Sequence, residues 1–433
     1  MQQALSATDR RTLILASLGG ALEFYDFIIF VFFAAVIADI FFPPDVPDWL
    51  RQLQAFGIFA AGYLARPLGG VIMAHFGDLV GRKRMFMLSV LLMAIPTLLI
   101  GLLPTYAAIG LAAPILLLIM RLLQGAAVGG EVPGAWVFVA EHVPPNRVGF
   151  ACGVLTCGLT VGILLGSLMA NAVNAIWSPD EIAAGLWRLP FIVGGIFGLF
   201  ALWLRRYLHE TPVFEQLRQR RALIQGLPIK QVLGGHIPGV VRSMLFTWLL
   251  TAGIVVVILM TPTLAQTMHK LSAQDALIAN ALATLALAIG CVAFGAAADR
   301  FGAERCLAVG SGMMLVSSML LYWALSNATA QFALFYMLAG FCVGTVGVVP
   351  TAMVAAFPAA IRFSGVSFSY NLAYAIAGGF TPLVVTLWAR TSVHGPAYYV
   401  AVVALIAGAA AYMRIDAEPT DIGEVATEAE RTS

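Results

Sequence analysis

The chain has 433 residues, of which 61% are hydrophobic and only 11% charged. Soluble globular domains carry about 25% charged residues, so this composition excludes a soluble fold and points to a polytopic membrane protein. A formal net charge of +2 is too small to recruit nucleic acid, and the expected surroundings are a lipid bilayer.

Apolar windows of about 20 residues predict twelve spans in chain order: 13–41, 51–75, 85–103, 110–138, 148–175, 187–204, 238–267, 276–298, 306–325, 330–356, 364–389 and 396–413. The polar stretch 205–237 divides them six and six. The expected class is therefore an all-α integral membrane protein with twelve transmembrane helices in two six-helix bundles. An N-terminal bundle (1–204), a linker (205–237), a C-terminal bundle (238–414) and an acidic tail (415–433), expected to be disordered, make up the chain. The first span is too long for a removable signal peptide, and its flanks lack a small-residue cleavage site.

Orientation follows from Lys and Arg. Arg51, Arg188, Lys270 and Arg390 fall on one side, and Arg66 and Arg121 inside spans. All the others of the 24 fall on the side of both termini, which is expected to be cytoplasmic.

The first span contains GGALEFYDFIIF (19–30), with Glu23 and Asp26 on one helical face. Span two adds Arg66, and span four adds Arg121 and Glu131. One charge at the bilayer centre costs about 2.5–3.5 kcal/mol even on the lenient insertion scale. These five should therefore share a water-accessible cavity, with Glu23 or Asp26 paired to Arg66 or Arg121 and Glu131 to the remaining Arg. Arg cannot usefully deprotonate and no histidine is expected mid-membrane, so Glu23, Asp26 and Glu131 are the proton-coupling candidates. Arg66 and Arg121 are candidates for binding a substrate carboxylate, with Gln124 and Tyr25 beside them. The C-terminal half has no matching charges and offers a neutral polar wall: Tyr370, Asn371 and Tyr374 in span eleven and Trp248 in span seven. Gly153, Gly158, Gly162 and Gly166 suit close helix packing, and Pro133 and Pro350 are expected to kink spans four and ten.

A repeat runs through the chain. HFGDLVGRKR (75–84) matches AAADRFGAER (296–305) at Asp78/Asp299, Gly81/Gly302 and Arg84/Arg305. The stretch 124–147 matches 339–362 at Gly125/Gly340, Gly129/Gly344 and Arg147/Arg362. Two halves with weak internal symmetry are a transporter architecture.

On these motifs the chain resembles the major facilitator superfamily over nearly all its length. GDLVGRKR looks like its signature loop and RLLQG (121–125) like its proton-coupling motif. LGGALEFYDF (18–27), YLARPLGG (63–70) and GGE…VAEHVP (129–144) resemble the metabolite:H⁺ symporter family, which carries citrate, α-ketoglutarate, shikimate and compatible solutes. Span four reads GGEVPGAW, with Val132-Pro133 where many members have an aromatic and Gly, which leaves the subgroup open. The resemblance implies the major facilitator fold, a bacterial inner-membrane location, action as a monomer and H⁺ as coupling ion. It also implies a cytoplasmic gate of Asp78, Arg82, Arg84, Glu141 and Arg147, with Asp299 and Arg305 in the second copy.

The leading expectation is proton-coupled import of a small organic anion. A zwitterionic osmolyte carrier is second and a sugar or drug transporter third. No catalytic constellation is present, so no enzyme is expected. The five cysteines have no metal-ligand spacing, and neither a metal nor another cofactor is expected.

Overall fold

A serine starts the first helix. The Ser6 hydroxyl accepts from the Asp9 N–H at 3.1 Å, and the Asp9 carboxylate accepts from the Ser6 N–H at 2.9 Å, a reciprocal box that satisfies two donors. The computed structural model describes residues 5–207, 210–219, 228–327 and 329–412. In it this helix, α1, runs Ala7–Phe32, breaks at Phe33 and resumes as Ala34–Phe41. The N-terminal bundle continues with α2 (Asp48–Val80), α3 (Arg82–Leu102), α4 (Ala112–His142), α5 (Val148–Ile176) and α6 (Arg188–Arg205). Two short helices, Pro212–Gln219 and Pro228–Gly235, precede the second bundle.

That bundle opens with α7, which runs Ile237–Thr251, widens to a π-helix over Ala252–Met260 and closes as Thr261–His269. Then come α8 (Ala273–Phe301), α9 (Ala303–Asn327), α10 (Phe332–Ala355), α11 (Arg362–Thr391) and α12 (Gly395–Ala410). Within α10 the stretch Gly344–Val348 tightens to a 3₁₀ turn. Pro350, two residues past its end, cannot donate to the carbonyl of Val346, so the irregularity expected of span ten is present. Pro133, by contrast, sits within a continuous α4. The tail 415–433 lies outside the described residues.

Among the described residues, nine of these helices are long and apolar enough to cross a membrane alone, and α6 makes a tenth together with the bent segment before it. The helices α2 and α12 complete the twelve. Their outward faces confirm the solvent. Leu64, Leu68, Ile72 and Phe76 recur every four residues along α2 and are all exposed, a stripe that suits lipid and not water. Arg66, on the opposite face, is buried.

Small residues set how closely the helices approach. A Cβ on Gly125 would strike the Gly62 carbonyl, one on Gly69 the Ala126 backbone, and one on Gly129 the Arg66 carbonyl. Thus α2 and α4 touch backbone to backbone, which brings Arg66 and Arg121 within about two helical turns of each other. Both turns of the repeated loop also need glycine, because Gly81 and Gly302 have φ of 124° and 90°.

Candidate functional site

The α2–α4 contact presents two buried guanidiniums to the interior. Arg121 donates through Nη1 to the Gln124 Oε1 at 2.9 Å, and its guanidinium carbon lies 4.4 Å from the centroid of the Phe30 ring of α1. Gln124 passes the chain on, with Nε2 donating to the Thr97 hydroxyl of α3 at 2.7 Å. Thr97 and Asp26 both border Gly194 of α6, where a Cβ would collide with the Asp26 Oδ1. Asp26, Thr97, Gln124 and Arg121 are therefore gathered in one buried layer of the N-terminal bundle.

The expected pairing of Asp26 with an arginine is not formed. Both of its carboxylate oxygens are buried and accept no hydrogen bond among the described residues, because the carboxylate turns toward Gly194 and Gly198. The side chain of Glu23 lies outside the described ones. Glu131 is buried in α4, ten residues or about 15 Å beyond Arg121. Tyr25 faces α6, donating to the Pro190 carbonyl at 3.1 Å and packing edge-on against Phe197.

Among the described residues Arg66 meets aromatic rings and not an acid. Its guanidinium carbon lies 4.4 Å from the Tyr374 centroid, 5.3 Å from Tyr370 and 5.4 Å from Tyr63. Tyr63 and Tyr374 stack with an interplanar angle of 4°, and Trp136 closes edge-on against Tyr370. The cage thus spans both bundles, and among the described residues cation–π attraction and a hydrogen bond with the Tyr370 side chain hold the arginine. Its Nε and Nη2 remain buried and donate no hydrogen bond among the described residues.

The rest of the expected neutral wall divides. Tyr370 and Tyr374 line the Arg66 cage. The Trp248 indole instead donates to the Tyr399 hydroxyl at 2.8 Å, which in turn meets the Thr381 hydroxyl, tying α7 to α12 and α11. Asn371 is fully buried and donates to the Gly129 carbonyl at 2.6 Å, so its amide is directed at the opposite bundle rather than at a cavity.

At the arginine-rich end the two bundles are closed on each other. The Ser364 N–H and hydroxyl donate to the Asp78 carboxylate at 3.0 and 2.8 Å. Asp78 thereby caps the first turn of α11, whose N–H groups have no partner in their own helix. Arg82 lies 3.7 Å from Asp78 and 2.9 Å from Glu141, and donates to the Ala359 carbonyl at 2.8 Å. Arg362 completes the group at 3.1 Å from Glu141. The second copy repeats the cap but not the charge cluster. Asp299 accepts from the N–H groups of Gly149 and Phe150 at 2.6 and 3.0 Å, capping α5, while the residue matching Arg82 is Ala303. Arg147 is half-buried and within electrostatic reach of Asp299. Arg84 and Arg305 are exposed and stand outside the cluster, contrary to expectation: each is three residues past its turn glycine, on the outward face.

Sequence reasoning missed Tyr63, Trp136, Ser364 and Glu210. The last caps α3, accepting from the N–H groups of Arg82 and Lys83 at 3.1 Å each. A signal existed, because α3 begins Arg-Lys-Arg after a glycine, with no side chain of its own to cap it.

The comparisons with known proteins agree with this architecture. The family model described as Major Facilitator Superfamily matches residues 16–382. The chain is 35% identical to the shikimate transporter of Escherichia coli (strain K12) over 391 residues, 88% of each chain. It is 33% identical to the citrate-proton symporter of Klebsiella pneumoniae, covering 85% of this chain and 83% of that protein. A putative proline/betaine transporter of Staphylococcus aureus (strain COL) is 32% identical, with 92% and 86% covered. In fold the chain is similar to the proton:xylose symporter XylE bound to 6-bromo-6-deoxy-D-glucose, with a TM-score of 0.79 at 18% identity over 98% of this chain and 99% of that one. The human organic anion transporter MFSD10 superposes with a TM-score of 0.69 at 16% identity, over 93% and 99% of the two chains. With twelve helices in two bundles among the described residues, a duplicated helix cap and relatives named as carriers that match over most of their length, the chain belongs to the Major Facilitator Superfamily and, within it, to the metabolite:proton symporters.

Proposed function

We propose that this chain imports a small organic anion together with a proton, by alternating access, across a bacterial cytoplasmic membrane. On this reading it acts as a monomer with both termini in the cytoplasm and needs no cofactor beyond the coupling proton. The observation that carries the reading is Arg66, a buried guanidinium whose Nε and Nη2 donate no hydrogen bond among the described residues, held by tyrosines at the seam between the bundles. A carboxylate can take both donors at once. The same cage weighs against a betaine, because the ring faces that would receive a quaternary ammonium already hold Arg66. A zwitterionic osmolyte is the second reading, favoured by the relatives named for proline and betaine.

A thermal-shift screen of the purified protein against carboxylates, betaines and sugars tests this directly, since a ligand of the native state raises stability. Carboxylates are expected to raise the melting temperature. Arg66→Gln is expected to weaken the best of them about tenfold or more, the size of a lost hydrogen bond to a charged group. A shift with betaines and none with carboxylates would assign the chain to osmolytes instead.

A further inference from the structure

Pro133 has no N–H, so the Gly129 carbonyl, four residues earlier in α4, lacks its usual donor within the helix. A buried carbonyl without a donor is costly. Here the donors come from the other bundle. The Asn371 amide of α11 donates to Gly129 at 2.6 Å, and the Ser367 hydroxyl lies 3.2 Å from the same oxygen and 3.0 Å from the Gly70 carbonyl of α2. Both side chains are fully buried, and Asn371 is steadied by a second contact to the Ser367 carbonyl at 2.8 Å. The approach depends on a missing side chain, because a Cβ on Gly70 would collide with both the Asn371 amide and the Ser367 hydroxyl. This junction lies eight residues along α2 from Asp78, or about 12 Å deeper than the charged cluster.

We infer that Asn371 and Ser367 are positioning residues of the transport cycle: an uncharged latch between the bundles whose acceptor is created by Pro133. Separating α11 from α2 and α4 withdraws both donors from Gly129. With Pro133 in place α4 has no i+4 donor to replace them, so the closed arrangement of the arginine-rich end is favoured. This requires neither a particular substrate nor a particular coupling ion.

Hydrogen–deuterium exchange on the purified full chain in lipid nanodiscs, with no substrate added, reads the latch. Asn371→Ala is expected to raise exchange in the segments around 75–84 and 360–367, reflecting an open population increased on the order of fivefold, as for one net buried hydrogen bond. Ser367→Ala is the milder variant, expected to act in the same direction, and gives the answer if Asn371→Ala does not fold. In a Pro133→Ala background the N–H of residue 133 can bond Gly129 inside α4, and Asn371→Ala is then expected to add little. Unchanged exchange in both single variants overturns the inference. So does an Asn371→Ala effect of equal size with and without Pro133, because simple loss of packing would give that. With no substrate present, failure of the organic-anion reading leaves this experiment intact.

Discussion

Arg66 and Asp26 are both buried in the N-terminal bundle, yet one is wrapped by aromatic rings and the other faces two glycines. That Asp26 accepts no hydrogen bond among the described residues makes it a place where a proton can be taken up and released without breaking a protein contact. If it carries the coupling proton, Asp26→Asn should abolish uphill, pH-driven accumulation and leave substrate exchange at least partly intact. Exchange requires only that the loaded carrier reorient, whereas net symport requires the empty carrier to release its proton. Vesicles with an imposed pH gradient measure both, and normal accumulation would move the role to Glu23 or Glu131. Gly194→Ala should impair coupling by the same route, because the added methyl meets the Asp26 carboxylate. The intramembrane charges were legible in the sequence because each breaks an apolar run. Their partners were not: the Arg66 cage takes Tyr370 and Tyr374 from more than 300 residues away, a contact no local pattern encodes.

Along α5 the glycine string divides into two tasks that spacing alone does not separate. Gly158 and Gly162 abut the Ser17 and Ala21 carbonyls of α1, and Gly166 abuts Ile28, all within one bundle. Gly153 instead meets the Cys291 carbonyl of α8, across the seam. Overpacking a close contact costs about 1–3 kcal/mol, so Gly162→Ala should lower the thermal unfolding midpoint of the whole protein. Gly153→Ala strains only the closed pairing of α5 and α8. It should therefore increase alkylation of the buried Cys291 thiol, read by mass spectrometry, more than it lowers the midpoint. Equal alkylation in the two variants would show that the string is uniform packing. The close-packing role was readable from four- and five-residue recurrence. Which helix each glycine meets depends on the assembled bundles.

The reciprocal caps join the two bundles as a pair: Asp78 of the first holds the start of α11, and Asp299 of the second holds the start of α5. The repeat in the sequence announced this symmetry, whereas the unequal reinforcement by Arg82, Glu141 and Arg362 emerges only in three dimensions. Asp78→Asn should consequently slow transport more than Asp299→Asn while sparing ligand binding. The double variant should depart from additivity, since both caps report on one interface. Initial uptake rates alongside equilibrium binding check this, and equal effects of the two substitutions would count against the asymmetry. The arrangement also bears on insulation. A rotation that frees α11 from Asp78 would free α5 from Asp299 in the same movement, and stopping halfway would leave helix ends without their caps. Such partly opened forms are the ones through which protons could short-circuit the membrane potential. On the transport cycle proposed above, two aspartates more than 200 residues apart would make such forms costly and the passage from one side to the other an all-or-none event with little leak.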